Sequence, residues 1–101
     1  MNALVRNKLA EIKKLSRRYH VKKLELFGSA AIAGKFKLKS DLDFLVEFQA
    51  DTLNRADCYF GLWEELQHLF GRKVDLVETE AIRNPYFLES IARSRTLLYA
   101  A

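Results

Sequence analysis

An α/β fold is predicted for this chain by three observations. Stretches with apolar residues at helical spacing (Asn2 to Tyr19, Leu53 to Phe70, Pro85 to about Ser94) alternate with short runs that read as strands (Lys22 to Phe27, Asp41 to Phe48, Val74 to Glu78). The chain has 101 residues, 50% of them hydrophobic and 12% aromatic, which suits one compact domain with a small core, so 1–101 is read as a single domain. Glycine and proline fall at the seams: Gly28 after the first strand, Gly71 before the third and Pro85 at the head of the last helix.

In the first helix, Val5, Leu9, Ile12 and Leu15 share a face, and Lys and Arg take the others, so the helix is expected to pack on the core. His20 follows beside Arg17 and Arg18 and is given no role. The strand ending at Phe27 delivers the chain to Gly28-Ser29. Glycine permits a sharp turn and close approach of a ligand, and Ser29 can cap a short helix, Ala30-Ala31-Ile32-Ala33, whose free N–H groups favour an anion such as phosphate. Equally, Gly-Ser is simply a strand-to-helix turn. A P-loop is excluded, because five residues separate Gly28 from Gly34 and Phe36 follows Lys35 where Ser or Thr is required. Lys35, Lys37 and Lys39 are read as a basic loop facing phosphate or only solvent.

Side chains alternate across a sheet, so Asp41 and Asp43 are expected on one face of the second strand, with Leu42, Phe44, Val46 and Phe48 on the other. Leu45 continues the acidic face, which sets the acids at the end of an apolar surface. Such a strand is also what a half-exposed sheet with its charged face in water looks like. Aspartate is a poor strand former, however, and like charges on one face repel; a bound divalent cation would offset that cost. Asp75 lies within the third strand in the same unfavourable setting. Glu47 and Glu78 sit at far strand ends and read as structural.

The apolar residues of the Leu53–Phe70 helix span an arc of roughly 200°, against the roughly 100° that seats a helix on a core. A protein–protein contact through part of this helix is therefore expected, with Tyr59, Leu62 and Leu66 among its members. His68 reads as a surface residue. Asn84-Pro85 caps the last helix, which is expected to turn Phe87, Leu88, Ile91 and Ala92 inward, and Leu97 to Tyr99 is placed as a short edge strand.

The net charge of +4 is unevenly spread. Up to Ser40 basic residues outnumber acidic ones eleven to two; from Asp41 onward acidic residues outnumber basic ones eleven to six. The basic half suits a polyanion such as nucleic acid, a nucleotide phosphate or an acidic partner. No apolar run approaches the roughly 20 residues of a membrane span and no signal peptide is recognisable, so a soluble cytoplasmic protein is expected. The single cysteine, Cys58, rules out an internal disulfide, and no zinc-ligand spacing is present.

With the strands in one sheet, Asp41, Asp43 and Asp75 are expected to converge beside Gly28-Ser29. Three carboxylates around Mg²⁺ or Mn²⁺, facing a phosphate-binding turn, suit phosphoryl or nucleotidyl transfer. On Leu26-Phe27-Gly28-Ser29, Ser40-Asp41-Leu42-Asp43-Phe44-Leu45-Val46-Glu47-Phe48, Gly71-Arg72-Lys73-Val74-Asp75-Leu76-Val77 and Arg83-Asn84-Pro85-Tyr86-Phe87, nearly the whole chain resembles the minimal nucleotidyltransferases of the DNA polymerase beta superfamily. The resemblance implies a small mixed sheet of three or four strands flanked by four or five helices, with ATP as donor and a divalent metal as cofactor. It implies that Gly28 and Ser29, with Lys35 as a charged supplement, hold the triphosphate, that Asp41 and Asp43 bind metal, and that Asp75 joins one metal and helps deprotonate the attacking hydroxyl. Small members of the family are often antitoxins of HEPN-domain toxins, some of which transfer AMP to a tyrosine of the toxin; a homodimer or hetero-oligomer fits that setting.

One departure stands out. Many relatives carry arginine soon after Gly-Ser, whereas Ala30, Ala31, Ile32 and Ala33 stand here, and Lys35 cannot copy the planar fork of a guanidinium. Two alternatives accompany the transferase: from this departure, an antitoxin that neutralises its partner by binding only, and from the basic half of the chain, a nucleic-acid-binding accessory domain, for which no reading motif is present.

Overall fold

The computed structural model describes residues 3–31, 41–92 and 94–101. A four-stranded sheet in the order β3-β2-β1-β4 forms its spine, with β1 at Val21–Phe27, β2 at Leu42–Phe48, β3 at Val74–Glu78 and β4 at Thr96–Ala100. β1 pairs antiparallel with β2 and β4, whereas β2 and β3 run parallel. The chain crosses from β2 to β3 through a long helix, because parallel neighbours cannot be joined by a tight turn. This is the mixed α/β architecture expected, with the apolar tail as the fourth strand.

Strand alternation sorts two cores. Leu42, Phe44, Val46 and Phe48 enter the larger one with Leu24, Leu26, Leu62 and Leu66, on the side where the first and longest helices pack. Leu45 enters the smaller one with Phe27 and Ile91, against which Val77, Ile82 and Phe87 lean. Asp43 shares the Leu45 face and lies at the end of the smaller core, as its position two residues earlier requires.

The first helix departs from expectation. It is divided into α1 (Ala3–Arg6) and α2 (Leu9–Arg18), and at the break Lys8 N bonds Val5 O at 3.0 Å, a shorter-range closure than the α-helical one. Asn7 competes poorly as a helix-interior residue, and the break still lets Val5 and Ile12 be fully buried.

The long helix, α3 (Arg55–Phe70), starts after Asn54, which takes a left-handed backbone at φ 54°, and ends at Gly71, φ 62°. The expectation that Leu62 and Leu66 belong to a partner contact is wrong, because both are 0% exposed within the core. α4 (Pro85–Ile91) begins as expected, with Asn84 accepting a bond from Tyr86 N at 2.9 Å. It is shorter than its apolar spacing suggests: Ile91 is buried, but Ala92 is exposed rather than inward. After β1 a single 3₁₀ turn, Gly28–Ala31, replaces the expected start of a helix at Ala30. Ile32, Ala33 and the Lys35, Lys37 and Lys39 loop lie outside the described residues.

Candidate active site

Register builds the site. Phe27 partners Asp43 across the antiparallel pair, and Asp43 partners Asp75 across the parallel pair. Partners in a ladder point to the same face and lie about 4.8 Å apart at the backbone, so the two aspartates stand side by side. Behind them in the next row Leu45 and Val77 begin the apolar floor, with the ion-paired Glu25 beside Leu45. Asp43 is half-buried against that floor and Asp75 is exposed. Burial first, then the adjoining Asp75 carboxylate and the charge of Asp41, push the Asp43 carboxyl up to about 6.

Gly28 is required twice over. Its φ is +74°, and a Cβ there would collide with the Asp43 carboxylate. Its N–H reaches the buried Ser94 hydroxyl at 3.4 Å, which ties the turn to the end of the α4 segment. Ser29 lies in the same 3₁₀ turn, and Lys35 lies outside the described residues.

Asp41 precedes β2 and takes a different partner: its Oδ2 lies 3.6 Å from Lys73 Nζ. Two of the three predicted carboxylates are thus brought together, while the third is drawn to a lysine. Among the described residues no three metal-ligating side chains are already gathered. The donors are all carboxylate oxygens, which suit Mg²⁺ or Mn²⁺, and the ladder register sets two of them, Asp43 and Asp75, side by side.

Sequence reasoning missed the other wall of the site. A cleft of about 510 Å³ runs from Asp43 and Asp75 past Lys73 to Tyr59, Phe60, Trp63 and Phe87. Trp63 Nε1 donates to Val74 O at 2.8 Å, the Tyr59 hydroxyl donates to Leu76 O, and Gln67 Oε1 accepts from Val74 N at 3.2 Å. Three side chains spaced four apart on α3 therefore cap the outer edge of β3 and fix the aromatic wall beside Asp75. The available signal was that spacing, in which two of the three carry an apolar ring with a polar tip.

The carboxylate pair, the glycine turn and the sheet order define a nucleotidyltransferase domain. The family model described as polymerase beta, nucleotidyltransferase, matches residues 10–101, and the chain belongs to that family. It is 38% identical over 91 residues to the Methanocaldococcus jannaschii protein named "Putative protein adenylyltransferase MJ1379", covering 82% of this chain and 90% of that one. Among solved structures, one described as "putative minimal nucleotidyltransferase" superposes with a TM-score of 0.76 at 27% identity, covering 95% of both chains. A chain from a toxin–antitoxin crystal structure with AMP-PNP superposes with a TM-score of 0.70 at 25% identity, covering 92% of this chain and 73% of that one.

Proposed function

We propose that this protein is an antitoxin that transfers AMP from ATP to a tyrosine hydroxyl of a HEPN-domain toxin. The observation that carries the reading is the Asp43–Asp75 pair, set side by side by the parallel register next to a glycine turn that admits no side chain. Gly28 and Ser29 hold the triphosphate, with Lys35 as a further phosphate contact. Asp41, Asp43 and Asp75 would hold the metal, with Asp41 meeting Lys73 through Oδ2 alone at 3.6 Å. Bound Mg²⁺ would neutralise the crowded carboxylates and withdraw charge from the phosphate oxygens.

Displacement at phosphorus is in line, so nucleophile and leaving group occupy opposite sides of the α-phosphorus. With the outer phosphates at the Gly28 turn, pyrophosphate departs toward β1 and the acceptor enters from the β3 side, where the aromatic cleft opens beside Asp75. The acceptor oxygen forms a bond to the α-phosphorus, the bond from that phosphorus to the bridging oxygen breaks, and pyrophosphate leaves with the electron pair. Asp75, exposed at the mouth, takes the hydroxyl proton. The adenylyltransferase name of a close relative and the AMP-PNP-bearing toxin–antitoxin neighbour support donor and partner.

A binding-only antitoxin is the second reading, favoured by the Asp41–Lys73 pair and by the absence of an arginine among Ala30, Ala31, Ile32 and Ala33 after Gly-Ser. Incubation with α-labelled ATP, Mg²⁺ and the cognate toxin separates the two. Label on the toxin, lost with Asp41→Asn/Asp43→Asn and with Asp75→Asn, is the expected result. Transfer that persists in these variants overturns the site, and neutralisation of the toxin without any label supports the second reading.

A further inference from the structure

The two edges of the sheet are treated differently. The β3 edge is covered by Tyr59, Trp63 and Gln67, whereas among the described residues no hydrogen bond reaches the outward backbone of β4, the strand that ends the sheet on the other side. β4 reads Thr96-Leu97-Leu98-Tyr99-Ala100, with no charge and no proline inside it, and Leu97 is 54% exposed. Such an edge is a template for another strand. A groove of about 300 Å³ runs along it, lined by Leu97 to Ala100 on one side and by Lys13 and Arg17 of α2 on the other.

Lys13 and Arg17 are four apart on α2, both are exposed, and Arg17 stands over the Tyr99 ring at 6.0 Å. On the other face of the sheet Lys23 and Arg95 flank Glu25, which is buried and takes both as ion partners. The edge therefore lies between cations on both faces, and the acid nearby is already neutralised. Pairing of β4 with β4 of a second copy would bring two Lys13–Arg17 pairs together, which disfavours a homodimer through this edge.

We propose that the β4 edge is a docking site for an extended acidic segment of a partner protein, which adds as a fifth strand with its carboxylates against Lys13 and Arg17. Main-chain bonds to the open edge supply the register, and alternate side chains meet the groove and the solvent in turn. The proposal is independent of the transfer chemistry, because the strand lies at the far side of the sheet from Asp75.

The test titrates the full chain against a short fluorescein-labelled peptide alternating threonine or valine with glutamate. Companion peptides carry lysine for glutamate, or N-methyl groups on the residues whose amides face β4. Binding of the acidic peptide, weakened about tenfold or more by Lys13→Glu/Arg17→Glu and by N-methylation, with the lysine peptide preferring that variant, is expected. Equal binding of the N-methylated peptide, displacement of it only by a single-stranded RNA oligonucleotide, or no binding at millimolar peptide overturns the proposal. So does sedimentation showing a dimer that Leu97→Lys dissociates, since the edge would then belong to a second copy.

Discussion

Asp43 is held in the metal-free fold against the preference of its own charge. Its carboxyl is raised from 3.8 to about 6 by burial, by Asp75 and by Asp41, so the folded state disfavours the ionised form. A raised carboxyl contributes stability that is fully present below its ordinary value and is lost as pH rises through the folded one. The metal-free protein should therefore lose stability from this residue between about pH 4 and pH 6. Asp43→Asn keeps the shape without the charge. The variant and the wild type should melt together at acid pH, and the variant should be the more stable by something on the order of 1 kcal/mol at neutral pH, discounted for partial exposure. Melting curves across that range, without metal, check it; a variant less stable than wild type at pH 7 would show that the carboxylate is held by a compensating partner. The same substitution should abolish label transfer, so stability and activity move in opposite directions at one residue.

Helix α3 carries the corresponding argument at the scale of an element. Trp63→Phe retains most of the ring while removing the donor to Val74 O, and Tyr59→Phe does the same at Leu76 O. Each should lower stability by about 1 kcal/mol, read as a shifted urea midpoint at unchanged slope. The double variant should also scatter light on heating at temperatures where the wild type stays clear, because the β3 edge is then open to other chains. Scattering no greater than that of the single variants would separate these side chains from edge protection. The sequence shows that α3 carries more apolar surface than a core demands, since helical spacing is a local property. It does not show where the surplus goes: Tyr59 and Trp63 meet carbonyls 17 and 11 residues further on, and the Asp43–Asp75 register is equally non-local. Period-two alternation made the acidic face of β2 legible, and the strand bounds at Val74 and Glu78 were readable because Gly71 and the apolar run fix them. The break at Asn7 and the placement of Asp41 against Lys73 depend on packing and charge contacts that periodicity cannot encode.

At the scale of the molecule, the candidate site is a property of the sheet rather than of any segment. Gly28, Asp43 and Asp75 come from the ends of three adjacent strands, β1, β2 and β3, so a ligand spanning them must hold those strands in register. Binding to the folded state alone adds stability by mass action, about 1.4 kcal/mol at ten times the dissociation constant. For a domain of this size that corresponds to a rise in melting temperature of roughly 5–10 °C. Mg²⁺ with ATP should produce such a rise at pH 7.5, where the Asp43 carboxyl, with its value of about 6, is ionised and ready to meet a cation. At pH 5 the same ligands must first displace a proton from it, so the rise should shrink although the metal-free protein is then relieved of its internal repulsion. Asp75→Asn should flatten the response at both pH values. A rise that is the same at pH 5 and pH 7.5, or that survives Asp75→Asn, would mean that nucleotide binds elsewhere on this chain and that the paired aspartates do not receive the cation.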